Sequence, residues 1–257
     1  MNRLSRSALA GLLMLLPSFA PAEEKKDPGP VITAIAPLEV VLGTKVTLHI
    51  RGLRLDTATE VSFVDAPAKI AVALKEKKKT EVPNGLEAKD IGDTEATVEL
   101  TMPSELTAGT LTFRVITADG PTATHSLRVA AAADLIDEKE PNNGFHQAQE
   151  LPLEKTLRGA IGQEKDVDVF RFEGKAKQVF CAEVRAARLG SLLDAVMTLF
   201  DAQGHLLATC DDANGSRDPQ LSFTLLVDGQ YYLSIQDAQD RGGSWHCYEL
   251  EAKETAP

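Results

Sequence analysis

Two short stretches of this 257-residue chain gather side-chain oxygens at spacings that could do chemistry. In "EKEPNNGF", residues 138–145, Glu138 and Glu140 stand two positions apart, ahead of Pro141, Asn142, Asn143 and Gly144. Proline disfavours helix for the residue before it, and in an extended segment alternate side chains point to one side. Both carboxylates therefore face one point, and the asparagines add amide oxygens where the chain turns. In "EKDVDVFRF", residues 164–172, Asp166 and Asp168 continue the row of Phe170 and Phe172, which puts them at the rim where a strand leaves its core.

Brought together, such donors suit Ca²⁺, which takes ~6–8 oxygen ligands in flexible geometry. Mg²⁺ demands a stricter octahedron. Zinc is disfavoured, because neither stretch holds a Cys or a His among its acids. Taken alone, the same pairs also read as ordinary solvated charge. Asp211 and Asp212 in "CDDANG" read as turn chemistry before a hairpin, with cation binding as the second reading.

Catalytic patterns are missing from the sequence. There is no G-x-S-x-G elbow and no H-E-x-x-H. Ser191 in "RLGSLLD" lacks the flanking glycine pattern of an elbow and an obvious base, and His49, His125, His146, His205 and His246 are scattered singly. Cys181, Cys210 and Cys247 fall in predicted strands, away from any helix N-terminus that would activate a thiol. Cys181 and Cys247 sit on the outward rows of two strands and would form a disulfide if those strands are neighbours; three free thiols is the alternative. Tyr232, Trp245 and Tyr248 are candidate ligand-contact aromatics, and packing explains them equally well.

The elements that must position these residues are strands. Arg3 and Arg6, the apolar run from Ala8 to Leu16, and Ala20-Pro21-Ala22 read as a cleavable signal peptide over residues 1–22, too short to span a bilayer. Residues 23–30 are a charged, Pro/Gly-rich flexible leader. The net charge of −11, which becomes −13 once Arg3 and Arg6 are removed, disfavours nucleic acid and anionic lipid surfaces. From Val31 onwards, short alternating runs are punctuated by turn signals. "KVTLHI" sends Val46, Leu48 and Ile50 inward, and "LTFRVI" does the same with Leu111, Phe113 and Val115. After a small-residue linker at 131–137, seven or eight further strands follow over residues 138–254. The expected fold is all-β: two β-sandwiches in tandem, immunoglobulin-like and then jelly-roll-like.

Two resemblances sharpen this. "PVITAIAPLEVVLGTKVTLHIRGLRL" and "MPSELTAGTLTFRVITADG" make residues 31–130 similar to the IPT/TIG family of immunoglobulin-like domains. The Lys-rich segment at 75–93 departs from that pattern and reads as a solvated loop or a charge-guarded strand edge. "EKEPNNGFHQAQELPLEKTLRGAIGQEKDVDVFRFEG", "RLGSLLDAVMTLFDAQGHLLATCDDANG" and "DGQYYLSIQDAQDRGGSWHCYEL" make residues 137–252 resemble the bacterial pre-peptidase C-terminal domain family. That resemblance implies a domain appended to secreted peptidases and other exported proteins. It also implies a calcium-chelating segment at the start of the domain, formed here by Glu138, Glu140, Asn142 and Asn143 with Asp166 and Asp168. The expected protein is secreted or periplasmic, calcium-stabilised and non-catalytic, and binds polysaccharide or protein at the cell envelope. The alternative is an accessory subunit of a separately encoded secreted hydrolase.

Overall fold

A computed structural model describes residues 29–255, except 65, 67, 84 and 85. The expected signal peptide and most of the leader lie outside the described residues.

The first unit has nine strands: β1 (Val31–Ala36), β2 (Glu39–Val41), β3 (Lys45–Leu53), β4 (Ala58–Val64), β5 (Ala71–Lys79), β6 (Thr94–Thr101), β7 (Gly109–Thr117), β8 (Gly120–Pro121) and β9 (His125–Ala130). One sheet runs β1-β3-β6-β5. The other runs β2-β9-β7-β4, with β8 paired to β7. Alternation drives the packing: Leu48, Ile50, Phe113 and Val115 are fully buried between the sheets. The Lys-rich segment resolves in part as β5, an edge strand. Lys75 reaches Glu99 on the neighbouring strand at 3.2 Å, so charge guards that edge.

Ten strands build the second unit: β10 (Leu135–Asp137), β11 (Gln149–Glu150), β12 (Thr156–Ala160), β13 (Val167–Gly174), β14 (Val179–Arg185), β15 (Ala195–Asp201), β16 (Leu206–Cys210), β17 (Gln220–Thr224), β18 (Gly229–Asp237) and β19 (Cys247–Thr255). They form two five-stranded sheets, β10-β12-β19-β14-β17 and β11-β13-β18-β15-β16. β10 and β11 exceed the count expected from sequence because two or three residues are too few to show alternation. Both pair in parallel with their neighbours. Between the sheets, Phe172 stacks on Phe180 at 4.2 Å, and Phe170, Tyr231, Leu233 and Leu250 complete the layer.

β14 and β19 are indeed adjacent, yet Cys181 and Cys247 are not bonded. Their register sets Cys181 opposite Lys253 and ends at Arg185 opposite Glu249. Cys247 therefore lies six residues along β19 from Cys181's partner, roughly 20 Å at strand rise. All three thiols are free, and Cys247 instead packs against the core of the first unit, as does Leu189. The two sandwiches are thus in contact.

Candidate metal centre

The segment joining β10 to β11 forms a strap across the end of the second sandwich. Glu138 N–H donates to Arg158 O at 2.8 Å, prolonging the β10–β12 ladder by one residue. Its carboxylate lies back over β12, where Oε2 accepts from Ala160 N–H at 2.8 Å. The approach requires glycine at 159, since a Cβ there would lie 2.4 Å from the Tyr248 phenol and 2.8 Å from Glu138 Oε2. Asn142 N–H donates to Glu140 Oε2 at 3.0 Å. The Asn142 carbonyl accepts from Val169 N–H at 3.0 Å, fastening the strap to β13.

These bonds bring Glu138, Glu140 and Asp168 together, each offering a carboxylate oxygen within 4.8 Å of the others. Asp168 occupies a core position at the head of the Phe170–Phe172 row and is fully buried. Its Oδ2 accepts from the Tyr248 hydroxyl at 2.7 Å, and that hydroxyl also lies 3.3 Å from Glu138 Oε1. Glu138 Oε1 accepts from Asn142 Nδ2 at 2.7 Å.

Two oxygens remain without a hydrogen-bond partner, Asp168 Oδ1 and Asn142 Oδ1, both on fully buried residues. Buried polar atoms are rarely left so. Burial, then the charge of Glu138, pushes the Asp168 carboxyl up to about 9. Burial also raises Glu140, reinforced by Asp166 and Glu138 and partly offset by the Asn142 N–H. Crowded carboxylates beside unpartnered oxygens form a donor set that a hard cation fits, and the cation's charge would remove the repulsion.

Asp166 and Asn143 lie beside this group rather than within it. Both Asp166 oxygens are already engaged, Oδ2 by Gly162 N–H at 2.7 Å and Oδ1 by Val167 N–H at 3.1 Å and Asn143 Nδ2 at 2.6 Å. They lash the strap to the turn before β13.

Residues 166–237 match the model of the bacterial pre-peptidase C-terminal domain. The second unit carries this domain. A probable subtilase-type serine protease of Deinococcus radiodurans is 39% identical over 112 residues, covering 42% of this chain and 15% of the relative. This chain thus spans only a small part of that protein's length. Among solved structures, the pre-peptidase C-terminal domain of a Bacillus anthracis collagenase is 22% identical, with a TM-score of 0.34, over 45% of this chain and 100% of its own. A secreted serine protease of Vibrio cholerae is 10% identical, with a TM-score of 0.30, over 84% of this chain and 48% of its own.

Within the second unit, the three aromatics proposed as ligand contacts fare differently. Tyr248 is 1% exposed and cannot meet an external ligand, because its inward row carries it into the core. Its hydroxyl serves the carboxylates instead, a role that the inward row and the acid pairs together could have suggested. Trp245 faces the first unit, its ring 6.0 Å from the Arg51 guanidinium and edge-on to His49 at 6.5 Å. Tyr232 is half-buried and stacks on Phe145 at 4.4 Å, where Phe145 also meets Phe200 at 5.3 Å. Phe145 thus pins the far end of the strap. A second acidic group unites Asp211 and Asp212 with Asp194, also within 4.8 Å. Sequence reasoning missed Asp194, which stands alone in "SLLDAV".

Proposed function

We propose that this is an exported, non-catalytic protein of the cell envelope whose pre-peptidase C-terminal domain is closed by Ca²⁺ and presents a surface to polysaccharide or protein. Glu138, Glu140 and Asp168 would hold the ion, with Asn142 Oδ1 completing the protein donors; Asp166 and Asn143 position the strap. One observation carries the cation reading: two fully buried oxygens without partners, on Asp168 and Asn142, beside three converging carboxylates. The first sandwich, read as an IPT/TIG-like domain over residues 31–130, would be the second binding module. Export rests on the signal peptide read from sequence, and no helix among the described residues is long and apolar enough to cross a membrane.

The non-catalytic reading is supported by how the available nucleophiles are used. Ser191 is buried, donating to Trp245 O at 3.1 Å and accepting from Leu193 N–H at 3.1 Å. Burial, then the charge of Glu138, pushes the Cys247 thiol up to about 11, where thiolate is scarce at neutral pH.

A second reading is favoured by the local identity to a subtilase-type protease. Here the chain is an accessory subunit of a separately encoded secreted hydrolase. Affinity capture from envelope and secreted fractions, with and without chelator, separates the two: an extracellular polymer or a structural protein supports the first, and a single hydrolase supports the second. Calcium-independent turnover of peptide or ester substrates by the purified chain would overturn both.

A further inference from the structure

The seam between the sandwiches is built from two mirrored pairs. In the first unit Glu39, opening β2, is the register partner of Arg128 on β9. In the second, Glu249 on β19 is the register partner of Arg158 on β12 and of Arg185 on β14. The pairs cross over. Arg128 Nε lies 3.0 Å from Glu249 Oε2, and Arg158 Nε lies 3.6 Å from Glu39 Oε1. Arg185 Nε also donates to Glu249 Oε2 at 3.0 Å. Each unit's arginine therefore reaches toward the other unit's glutamate, and both glutamates are 1% exposed.

Counting partners exposes a deficit. Both Glu39 oxygens and Glu249 Oε1 have no hydrogen-bond donor. They line a crevice of about 320 Å³ with Asp137, Glu138, Arg158, Cys247 and Tyr248. A metal ion is a poor remedy, because three guanidiniums already crowd the two carboxylates. Asp137 and Glu251 are committed to Arg158 and Arg185. A single proton on Glu39 reduces the deficit: Glu39 then donates to the Glu249 carboxylate and its other oxygen is left to Arg158, while Glu249 stays ionised against Arg128 and Arg185.

We propose that the two sandwiches are latched by one proton shared between Glu39 and Glu249, so that docking is tight in mild acid and loosens as that proton is lost. In support, burial, followed by the charge of Glu249 and a hydrogen bond to it, lifts the Glu39 carboxyl to about 7, against the opposing pull of Arg158 and Arg128. An acid whose affinity for its proton is raised by docking favours the docked state at low pH and withdraws that support as pH rises through the raised value.

The seam holds its own reporter. Ile35 N–H donates across it to Gly190 O at 2.9 Å, so the exchange protection of this amide reads docking. In the full chain, its protection factor should fall about tenfold or more between about pH 5.5 and about pH 8.5. In Glu39→Gln, which keeps a donor for Glu249 but cannot ionise, protection should hold at both values. Arg158→Gln removes an attraction that favours ionised Glu39, so the loosening midpoint should move to higher pH. Equal protection of the unmodified chain at both pH values, a Glu39→Gln profile parallel to it, or an unmoved midpoint in Arg158→Gln would each overturn the proposal.

Discussion

The Tyr248 hydroxyl donates to Asp168 Oδ2 at 2.7 Å, joining β19 of one sheet to β13 of the other at the strap end of the second sandwich. A hydroxyl has one proton to give, and Glu138 Oε1 is only 3.3 Å away. Tyr248 therefore orients two carboxylates but can satisfy only one at a time. Removing the hydroxyl in Tyr248→Phe leaves a buried carboxyl group short of a donor, a loss of about 1–3 kcal/mol. Partners that orient metal ligands typically matter about 10- to 100-fold in affinity. Calorimetric titration of Tyr248→Phe should show Ca²⁺ binding weakened by about tenfold, together with a lowered melting temperature.

Asp168→Asn separates the ion from the fold. The amide occupies the same volume and its oxygen still accepts from Tyr248, while one anionic ligand disappears. Calcium at a hundredfold excess over Kd should stabilise the unmodified protein by about 2.7 kcal/mol, read as a rise in melting temperature. Asp168→Asn should melt near the calcium-free protein and gain little from added calcium. A full calcium response in this variant would remove Asp168 from the ligand set.

Protons and calcium compete for the same oxygens. Asp168, ordinarily near 3.8, sits at about 9 when no cation is present, and Glu140 is raised as well. For a carboxyl raised by folding, stability is fullest below its unfolded value and is lost as pH climbs toward the folded one. The calcium-free protein should therefore lose this contribution between about pH 4 and about pH 9. Saturating calcium should flatten that slope, because the ion stabilises the ionised form. Binding at neutral pH should also release protons. Titrations in buffers of differing ionisation enthalpy would count them, and a buffer-independent heat would contradict the assignment.

How much of this could be read from sequence depends on range. Alternation placed Leu48, Ile50, Phe113 and Val115 inside, and these are buried, whereas Val46 and Leu111 on the same rows are only partly so. Side-by-side acids in "EKEPNN" and "EKDVD" pointed to a common destination because local backbone geometry alone sends them to one side. Partners far apart in the chain were harder to see. Strand adjacency suggested a Cys181–Cys247 bond, but register decides contact along a strand, and no local pattern encodes it. Tyr248 was proposed as a ligand contact although its own row pointed inward; the row was the better guide. No local pattern marks Glu39 or Glu249, which lie buried where the two sandwiches meet. Likewise, the different engagement of Asn142 and Asn143 depends on where β13 lies beneath the strap.

The last prediction concerns the seam's backbone. Gly190 has a φ of +95°, a region that L residues with a Cβ avoid. A Cβ there would also fall 2.6 Å from His125 Nε2 of the first unit, the nitrogen that lies 3.4 Å from Leu189 O. The histidine could swing aside, but doing so would abandon that contact, and the backbone strain would remain. Gly190→Ala should thus cost about 1–3 kcal/mol, mostly at the seam. Trp245, the chain's single tryptophan, stands against Arg51 and His49 of the first unit and will report the change. Its emission should shift to the red in the variant as water reaches the ring, while the calcium response of the strap persists because Glu138, Glu140 and Asp168 are untouched. An unaltered Trp245 spectrum with a normal melting curve would mean that the turn at Gly190 does not hold the sandwiches together.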